Sequence, residues 1–189
     1  MLDNNALEGA EVVLGVPTPE QLTPEINFLL GRLNWQKQFS APLAAGTFDD
    51  AYRYWSFALK AEPENWKYLT ALGFAAYAKG DLTSAQDHWE TVSNKLRQAE
   101  SGSPGRELLL NAKAGLALIA QTRALQEAPG EQSALLKTAI DGYRLIQAEA
   151  PQTLQPELLG RNTAQNWFWN QALIEQWLTL SRRSAGGAE

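Results

Sequence analysis

Residues that could carry catalytic chemistry are scarce in this chain. The sequence has one histidine, His88, and no cysteine. A thiol nucleophile and a zinc–thiolate site are therefore excluded, and no second histidine is present to complete a common zinc site with His88. We predict that His88 is an ordinary surface residue, and that the protein has no catalytic residues, no metal and no cofactor.

Other residue patterns that often mark an active site are present only in part, because their spacing or their predicted secondary structure does not fit the motif. Asp49 and Asp50 are adjacent, and neighbouring residues of a helix diverge, so the two carboxylates cannot share a proton or a cation. The segment SGSPG at 101–105 lacks the strand–turn–helix context of a nucleophile elbow, and no glycine-rich phosphate loop ends in Lys-Ser or Lys-Thr. The sequence therefore predicts a protein that is not an enzyme.

Two stretches repeat one pattern of small and bulky residues. GTFDDAYRYW at 46–55 and GDLTSAQDHW at 80–89 each read Gly, four residues, Ala, three residues, Trp, and equivalent positions lie 34 residues apart. The alanine and the tryptophan are one helical turn apart, so they share a face of a helix. The glycine suits a left-handed residue that ends the preceding helix. The pattern predicts a helix, a tight turn and a second helix.

This pattern resembles the tetratricopeptide repeat family, whose unit of about 34 residues is a pair of antiparallel helices. The matching residues are Trp35, Gly46, Ala51, Trp55, Ala58 and Pro63 in one unit, and Leu69, Leu72, Gly73, Gly80, Ala85, Trp89 and Val92 in the next. In the first unit Gln38 and Phe39 stand where the family has Leu-Gly, and Pro42 predicts that the first helix ends near Phe39. The ending NWFWNQALIEQW is also similar to that of tetratricopeptide proteins of cyanobacteria.

A longer third unit and a closing helix follow in the sequence. Helical stepping predicts one helix from about Glu107 to Gln126, a turn at Pro129-Gly130 and a second helix up to about Glu149. The stretch 162–183 predicts an amphipathic helix capped by Asn162 or Thr163. Together with the resemblance, these elements imply an all-α protein, a right-handed superhelix of about three helical hairpins plus a C-terminal capping helix.

The same reasoning divides the chain into three parts. We expect residues 24–182 to form the repeat domain and residues 183–189 to form a flexible tail. Residues 1–23 are expected to be an N-terminal arm or extra helix. An extra packed helix, a mobile arm and a strap over the concave face fit that segment equally.

Composition limits the classes of partner and compartment. The formal net charge of −5 argues against a nucleic-acid footprint, which usually forms a basic face. The sequence has no uninterrupted apolar run of about 18 residues that could span a membrane, and its start lacks the basic and apolar regions of a secretory signal. We therefore expect a soluble, cytoplasmic protein whose partner is another protein or a peptide, with its oligomeric state open.

The resemblance also implies where a partner would bind. First helices of the units line the concave face of such stacks, which places Lys67, Thr70, Phe74, Tyr77 and Arg123 in a partner-binding groove. The first four step by three or four residues and so form one stripe. A cation, a hydroxyl and two aromatic rings suit a peptide with acidic and apolar side chains. Packing of Phe74 and Tyr77 against a neighbouring unit fits the sequence equally.

Two function hypotheses follow from these observations. The first is a non-enzymatic interaction scaffold or assembly factor that binds a peptide or helix of a partner in its concave groove. The alternative is a secretion-type chaperone that holds an export substrate and dimerises through its N-terminal arm. Because neighbouring helical residues point about 100° apart, we also expect one of Trp167, Phe168 and Trp169 to form an exposed or partner-covered aromatic patch.

Overall fold

The protein is helical wherever its structure is described. The computed structural model describes residues 19–40, 47–152, 154–159 and 166–186, and these contain no strand. A 3₁₀ turn at Pro19–Gln21 precedes helices α1 (Pro24–Ser40), α2 (Thr47–Ala61), α3 (Trp66–Ala78), α4 (Leu82–Lys95), α5 (Pro104–Gln126), α6 (Pro129–Glu149), α7 (Pro156–Leu159) and α8 (Gln171–Gly186). The prediction of an all-α protein is confirmed for these residues.

Six of the helices pack as three sequential pairs. In the first pair, Trp35 near the end of α1 contacts Phe48 at the start of α2, while Phe28 contacts Trp55 farther along α2. This crossed order shows that α1 and α2 run antiparallel. The pairs α3 with α4 and α5 with α6 also pack on each other, and α8 packs on α6 and α5. The described residues therefore form three helical hairpins, followed by the short α7 and the C-terminal helix α8.

A turn glycine and two capping side chains set helix boundaries in the second and third hairpins. Gly80 has φ of +82°, a left-handed conformation that costs little without a side chain, and it separates α3 from α4. Asp81 then caps α4 by accepting a hydrogen bond from the Ser84 backbone N–H at 3.0 Å. Ser103 caps α5 in the same way, with Pro104 as the first helical residue. The predicted role of Gly80 is confirmed, whereas Gly46 and Pro42 lie outside the described residues.

The repeated tryptophans fit against glycines of the preceding helix. A Cβ built on Gly31 would lie closer than 3.0 Å to the Trp55 ring, and one on Gly73 would meet the Trp89 ring as closely. The opposite edge of the Trp89 ring packs on Gly115 of α5, where an added Cβ would also lie closer than 3.0 Å to the ring. Both rings are fully buried. The small residues thus allow helices to approach closely enough to enclose an indole ring.

The two indole rings also make the same hydrogen bond. Trp55 donates from Nε1 to the Phe28 carbonyl at 3.0 Å, and Trp89 donates from Nε1 to the Thr70 carbonyl at 3.3 Å. Each acceptor lies three residues before the glycine that its ring covers. The structure therefore makes Leu30-Gly31 the equivalent of Leu72-Gly73. Matching Gln38 and Phe39 to that position was wrong, because the strict 34-residue spacing ignored two differences. The helix α1 continues nine residues beyond Gly31 and its connection to α2 has six residues, whereas α3 continues five residues beyond Gly73 and its connection to α4 has three.

Several predicted boundaries differ from the structure. The helix α5 begins at Pro104 rather than Glu107, and Pro129 and Gly130 begin α6 instead of forming a turn. The helix α1 ends at Ser40, close to the predicted Phe39. The predicted N-caps of the last helix, Asn162 and Thr163, lie outside the described residues.

The last helix is shorter at its start and longer at its end than predicted. It begins at Gln171, where Asn170 Oδ1 accepts a hydrogen bond from the Leu173 backbone N–H at 2.8 Å. The five residues before it, 166–170, are not helical. The helix continues to Gly186, so residues 183–186, which were assigned to a flexible tail, are helical.

Part of the predicted N-terminal arm packs on the helical domain. Pro19 is buried, and the Asn27 side chain of α1 donates a hydrogen bond to its carbonyl oxygen at 3.0 Å. Residues 1–18, which carry the choice between an extra helix, a mobile arm and a strap, lie outside the described residues. The predicted boundary at residue 23 therefore falls after the point where the chain already contacts α1.

Candidate functional site

The predicted partner groove is not an open surface. Thr70 and Phe74 are fully buried, and Tyr77 is nearly so. The Thr70 hydroxyl donates a hydrogen bond to the Trp66 carbonyl one turn earlier, at 2.7 Å. Only Lys67 of the α3 stripe is exposed, with its Nζ 4.3 Å from the centre of the Phe28 ring. Arg123 lies half-buried on α5.

The segment Trp167–Trp169 packs on Phe74, one of the residues predicted to line this groove. Phe168 stacks on Phe74, with ring centres 4.9 Å apart and planes inclined by 10°. Trp167 lies 5.7 Å from Phe28, and its carbonyl oxygen accepts a hydrogen bond from Trp35 Nε1 at 3.2 Å. The Trp169 ring lies 5.9 Å from Phe74. Phe74 also lies 6.5 Å from the Trp35 ring of the first hairpin, so its packing against a neighbouring unit, the alternative to a partner contact, is observed as well.

The expectation of an exposed aromatic patch is wrong. Trp167, Phe168 and Trp169 are 9%, 5% and 6% exposed. The expectation assumed a helix, in which three successive side chains must diverge. Because residues 166–170 form a turn instead, all three rings point into the domain. Trp169 also finds a partner for its indole N–H, which donates to Asn111 Oδ1 at 2.8 Å.

Tyr77, another of the residues predicted to line the groove, contacts the C-terminal helix. Its hydroxyl donates to Gln176 Oε1 of α8 and shares a second hydrogen bond with Thr122 Oγ1 of α5, each at 2.5 Å. Burial raises the pKa of Tyr77 above its ordinary value, and the bond to Thr122 opposes that shift. The neutral hydroxyl thus holds three helices, α3, α5 and α8, in a fixed relation.

An open cleft lies beside this contact, between α5 and α8. We call it the α5–α8 cleft, and it has a volume of about 380 Å³. Its lining consists of Gln121, Thr122, Leu125, Ala172, Glu175, Gln176, Thr179 and Arg183. Leu125 is 63% exposed, which is unusual for a leucine in this chain. The cleft therefore combines an accessible apolar side chain with several polar groups.

Two polar atoms in this lining are buried without a partner. Gln121 is only 3% exposed, and its Oε1 accepts no hydrogen bond. Arg183 Nη1 is likewise buried and donates none. Buried polar groups are nearly always paired, because an unpaired one loses its hydration without compensation. With almost no surface open to solvent, these two atoms are not themselves within reach of a molecule in the cleft.

Sequence reasoning did not identify the cleft. Gln121 occupies a position on the apolar face of α5, four residues after Ala117 and three after Leu118. A glutamine at such a position signals a buried amide that needs partners, so this residue could have been singled out. Leu125 and Arg183 carry no such signal, because their surroundings depend on how α8 docks on α5.

A second, wider depression lies at the start of α3. It has a volume of about 600 Å³ and is lined by Glu62, Pro63, Glu64, Asn65, Trp66, Lys67, Gly105 and Leu108. The two glutamates and Lys67 are exposed to solvent. None of these lining residues is an exposed large apolar side chain comparable to Leu125. This depression therefore gives weaker support for a binding site than the α5–α8 cleft.

The single histidine is half-buried, not the surface residue that the sequence predicted. His88 lies on α4 with its ring centre 6.3 Å from that of Tyr52 on α2. Burial lowers the pKa of His88 below its ordinary 6.5, and Asp87 and Asp81 oppose the shift. Within the part of the chain that the structure describes, no three His, Asp or Glu side chains are grouped to hold a metal ion.

We expect His88 to make stability depend on pH. Because the folded-state pKa is lowered, the unfolded chain binds a proton at a pH where the folded chain does not, so stability falls as the pH drops below about 6.5. Urea unfolding at pH 7.5 and pH 5.5 should show a larger loss in the wild type than in His88→Gln. Equal losses in the two proteins would show that His88 does not contribute to the dependence.

Among the described helices, none is both long enough and apolar enough to cross a membrane. Comparisons with protein-family models, with curated proteins and with solved structures each returned no match to this chain.

Proposed function

We propose that this protein is a non-enzymatic scaffold of the tetratricopeptide type that binds a segment of a partner protein in the α5–α8 cleft. Three antiparallel hairpins, a glycine turn before α4 and equivalent tryptophans at 55 and 89 support the family assignment. The observation that carries the binding site is the exposed Leu125 in the lining of the α5–α8 cleft.

The position of the site differs from the one that the resemblance implies. In the proposed scaffold, the chain's own residues 167–169 occupy the part of the groove beside α1 and α3, as their contacts with Phe28 and Phe74 describe. A partner segment then has access to the surface between α5 and α8. The exposed Leu125 supplies an apolar contact there, since interface cores favour desolvated apolar groups.

Paired leucine variants test this function. We expect Leu125→Glu to lose most of the protein that the wild-type chain captures from a lysate of its native cells, because a carboxylate in the cleft opposes apolar burial. The control is Leu145→Glu on α6, since Leu145 is also exposed, at 51%, and does not line the cleft. Quantitative mass spectrometry of the captured proteins gives the comparison.

Two results would overturn the proposed function. One is the absence of any protein captured above the level of an inert bait. The other is equal capture by both leucine variants, because that would place binding outside the cleft. Melting temperatures of the two variants should match the wild type closely, since exposed substitutions usually change stability by no more than about 0.5 kcal/mol.

The chaperone alternative depends on residues 1–18, which lie outside the described residues. It stays a prediction with its own test: removal of residues 1–17 should convert a dimer to a monomer in light scattering.

A further inference from the structure

The helix α1 carries buried apolar side chains on two opposite faces. On one face, Phe28 and Trp35 point toward the second hairpin, where Phe28 stacks on Tyr68 with ring centres 4.9 Å apart. Leu30 and Leu33 each lie two residues from one of these rings, about 200° around the helix, and so face the other way. They are only 4% and 2% exposed. The helix α1 therefore needs packing partners on both sides.

The side chains on this second face form a cluster separate from the main core. We call it the outer cluster: Leu30 and Leu33 of α1 with Tyr54 of α2, against which Leu22 and Ile26 pack. The second hairpin lies on the opposite side of α1, beside Phe28. The end of a stack of helical repeats needs a polar outer face. Because the outer face of α1 is apolar, a further element is required to cover it.

The described chain begins on the side of the outer cluster. Pro19 is buried, and its carbonyl oxygen accepts a hydrogen bond from Asn27 Nδ2 at 3.0 Å. The turn Pro19–Gln21 also contacts α2, and Leu22, the next residue, packs against the outer cluster. The residues that directly precede Pro19 in the sequence are therefore tethered at the edge of this cluster.

The sequence of residues 2–14 has the pattern that an apolar helix face needs. One half of a helical projection holds the apolar side chains Leu2, Ala6, Leu7, Ala10, Val13 and Leu14, whereas Glu8 and Glu11 fall on the other half. As a helix, this stretch would span about 20 Å, against about 25 Å for the 17 residues of α1. Its length and its apolar half both match the face to be covered.

We propose that the outer cluster is the docking surface for the chain's own residues 1–18, with the apolar half of 2–14 packed along α1. Residues 15–18 are a short tether, which gives the segment an effective concentration of about a millimolar at its own domain. Docking within one chain therefore outcompetes the same segment of a second copy at micromolar protein. This inference is independent of the α5–α8 cleft, and it opposes the chaperone alternative, in which the segment joins two copies.

The absence of cysteine from the sequence allows a direct test on the full chain. Glu8→Cys, on the polar half of the segment, accepts one spin label, and NMR of the Leu30 and Leu33 methyl groups measures the line broadening that the label causes. We expect both methyl signals to lose most of their intensity, because helices in contact have axes about 8–10 Å apart. The Leu145 methyl signals, on the third hairpin, should stay sharp. The chemically reduced label is the diamagnetic control.

A mixed sample separates the chain's own segment from that of a second copy. Spin-labelled chain without isotopes is combined with isotopically labelled chain without a spin label, so that only broadening between copies is observed. We expect none at Leu30 and Leu33. Broadening as strong as in the first sample would overturn docking within one chain and would favour a dimer. No broadening in either sample would overturn docking of the segment altogether.

Two variants with the same change of charge test the apolar half of the segment. In the spin-labelled chain, Leu14→Asp should abolish the broadening and lower the melting temperature by several degrees, because it places a carboxylate against the outer cluster. Asn4→Asp adds the same charge on the polar half and should change neither measurement. Equal effects of the two variants on the broadening would show that the segment does not dock through this half, and would overturn the proposal.

Discussion

Replacing Trp89 by alanine is expected to lower the free energy of unfolding by about 3–5 kcal/mol. The ring is fully buried between Gly73 of α3 and Gly115 of α5, so its loss opens a cavity that two glycines cannot fill. The substitution also removes the hydrogen bond from Nε1 to the Thr70 carbonyl. Urea unfolding followed by circular dichroism measures the change. The control is Trp66→Ala, a half-buried ring at the start of α3, which should cost much less.

A second substitution shows whether the cost arises from the glycine contact. Gly73→Ala places a Cβ closer than 3.0 Å to the Trp89 ring, and such overpacking costs about 1–3 kcal/mol. In the Trp89→Ala background the same change should become neutral or stabilising, since alanine favours a helix over glycine by about 1 kcal/mol. Additive costs of the two substitutions would contradict this packing.

Replacing Trp167 by alanine is expected to cost about 3 kcal/mol of stability, although this residue was first expected to belong to an exposed patch. Its ring contacts Phe28 and lies 5.9 Å from Trp55, and the Arg32 guanidinium carbon sits 4.9 Å from its centre. Removal would therefore expose the aromatic interior of the first hairpin. The measurement is again urea unfolding, with Leu145→Ala as an exposed control.

The same experiment decides between a structural and a binding role for this segment. A loss below about 0.5 kcal/mol, as for ordinary surface changes, would place the Trp167 ring outside the core and would restore it as a candidate contact for a partner. A large loss would explain any accompanying loss of binding as damage to the fold. Leu125→Glu, which should leave the fold intact, then remains the variant that reports on the cleft.

The sequence was sufficient to predict elements whose signals are local. The helical steps of α3 and α4, the glycine that ends α3 and the alanine and tryptophan that share a face of α4 all depend on residues within a few turns of one another. Prolines and helical periodicity predicted the ends of α5 and α6, and each predicted end lies within three residues of the observed one. These features need no knowledge of distant contacts.

Alignment of the first hairpin with the second depended on the lengths of α1 and of its connection to α2, and there the repeat spacing was misleading. The repeated tryptophans are spaced by 34 residues, but Gly31 and Gly73, which they cover, are not. The longer α1 and the longer connection together increase the separation of Gly31 from Trp55 without changing the pattern within α2. Only the contact between ring and glycine reveals the correct equivalence.

The site depended most on tertiary structure. The sequence by itself determined that the part of the chain described here is helical, that tryptophans and small residues pack its hairpins, and that cysteine chemistry is absent. Only the tertiary structure decided that residues 167–169 pack into the domain beside Phe74, and that α8 leaves a cleft against α5. The physical reason is the sequence separation of the residues involved. Helical periodicity is set by neighbours within a turn. Burial of a ring or an amide is set by residues about 50 to 100 positions away, and no local pattern encodes how those residues pack.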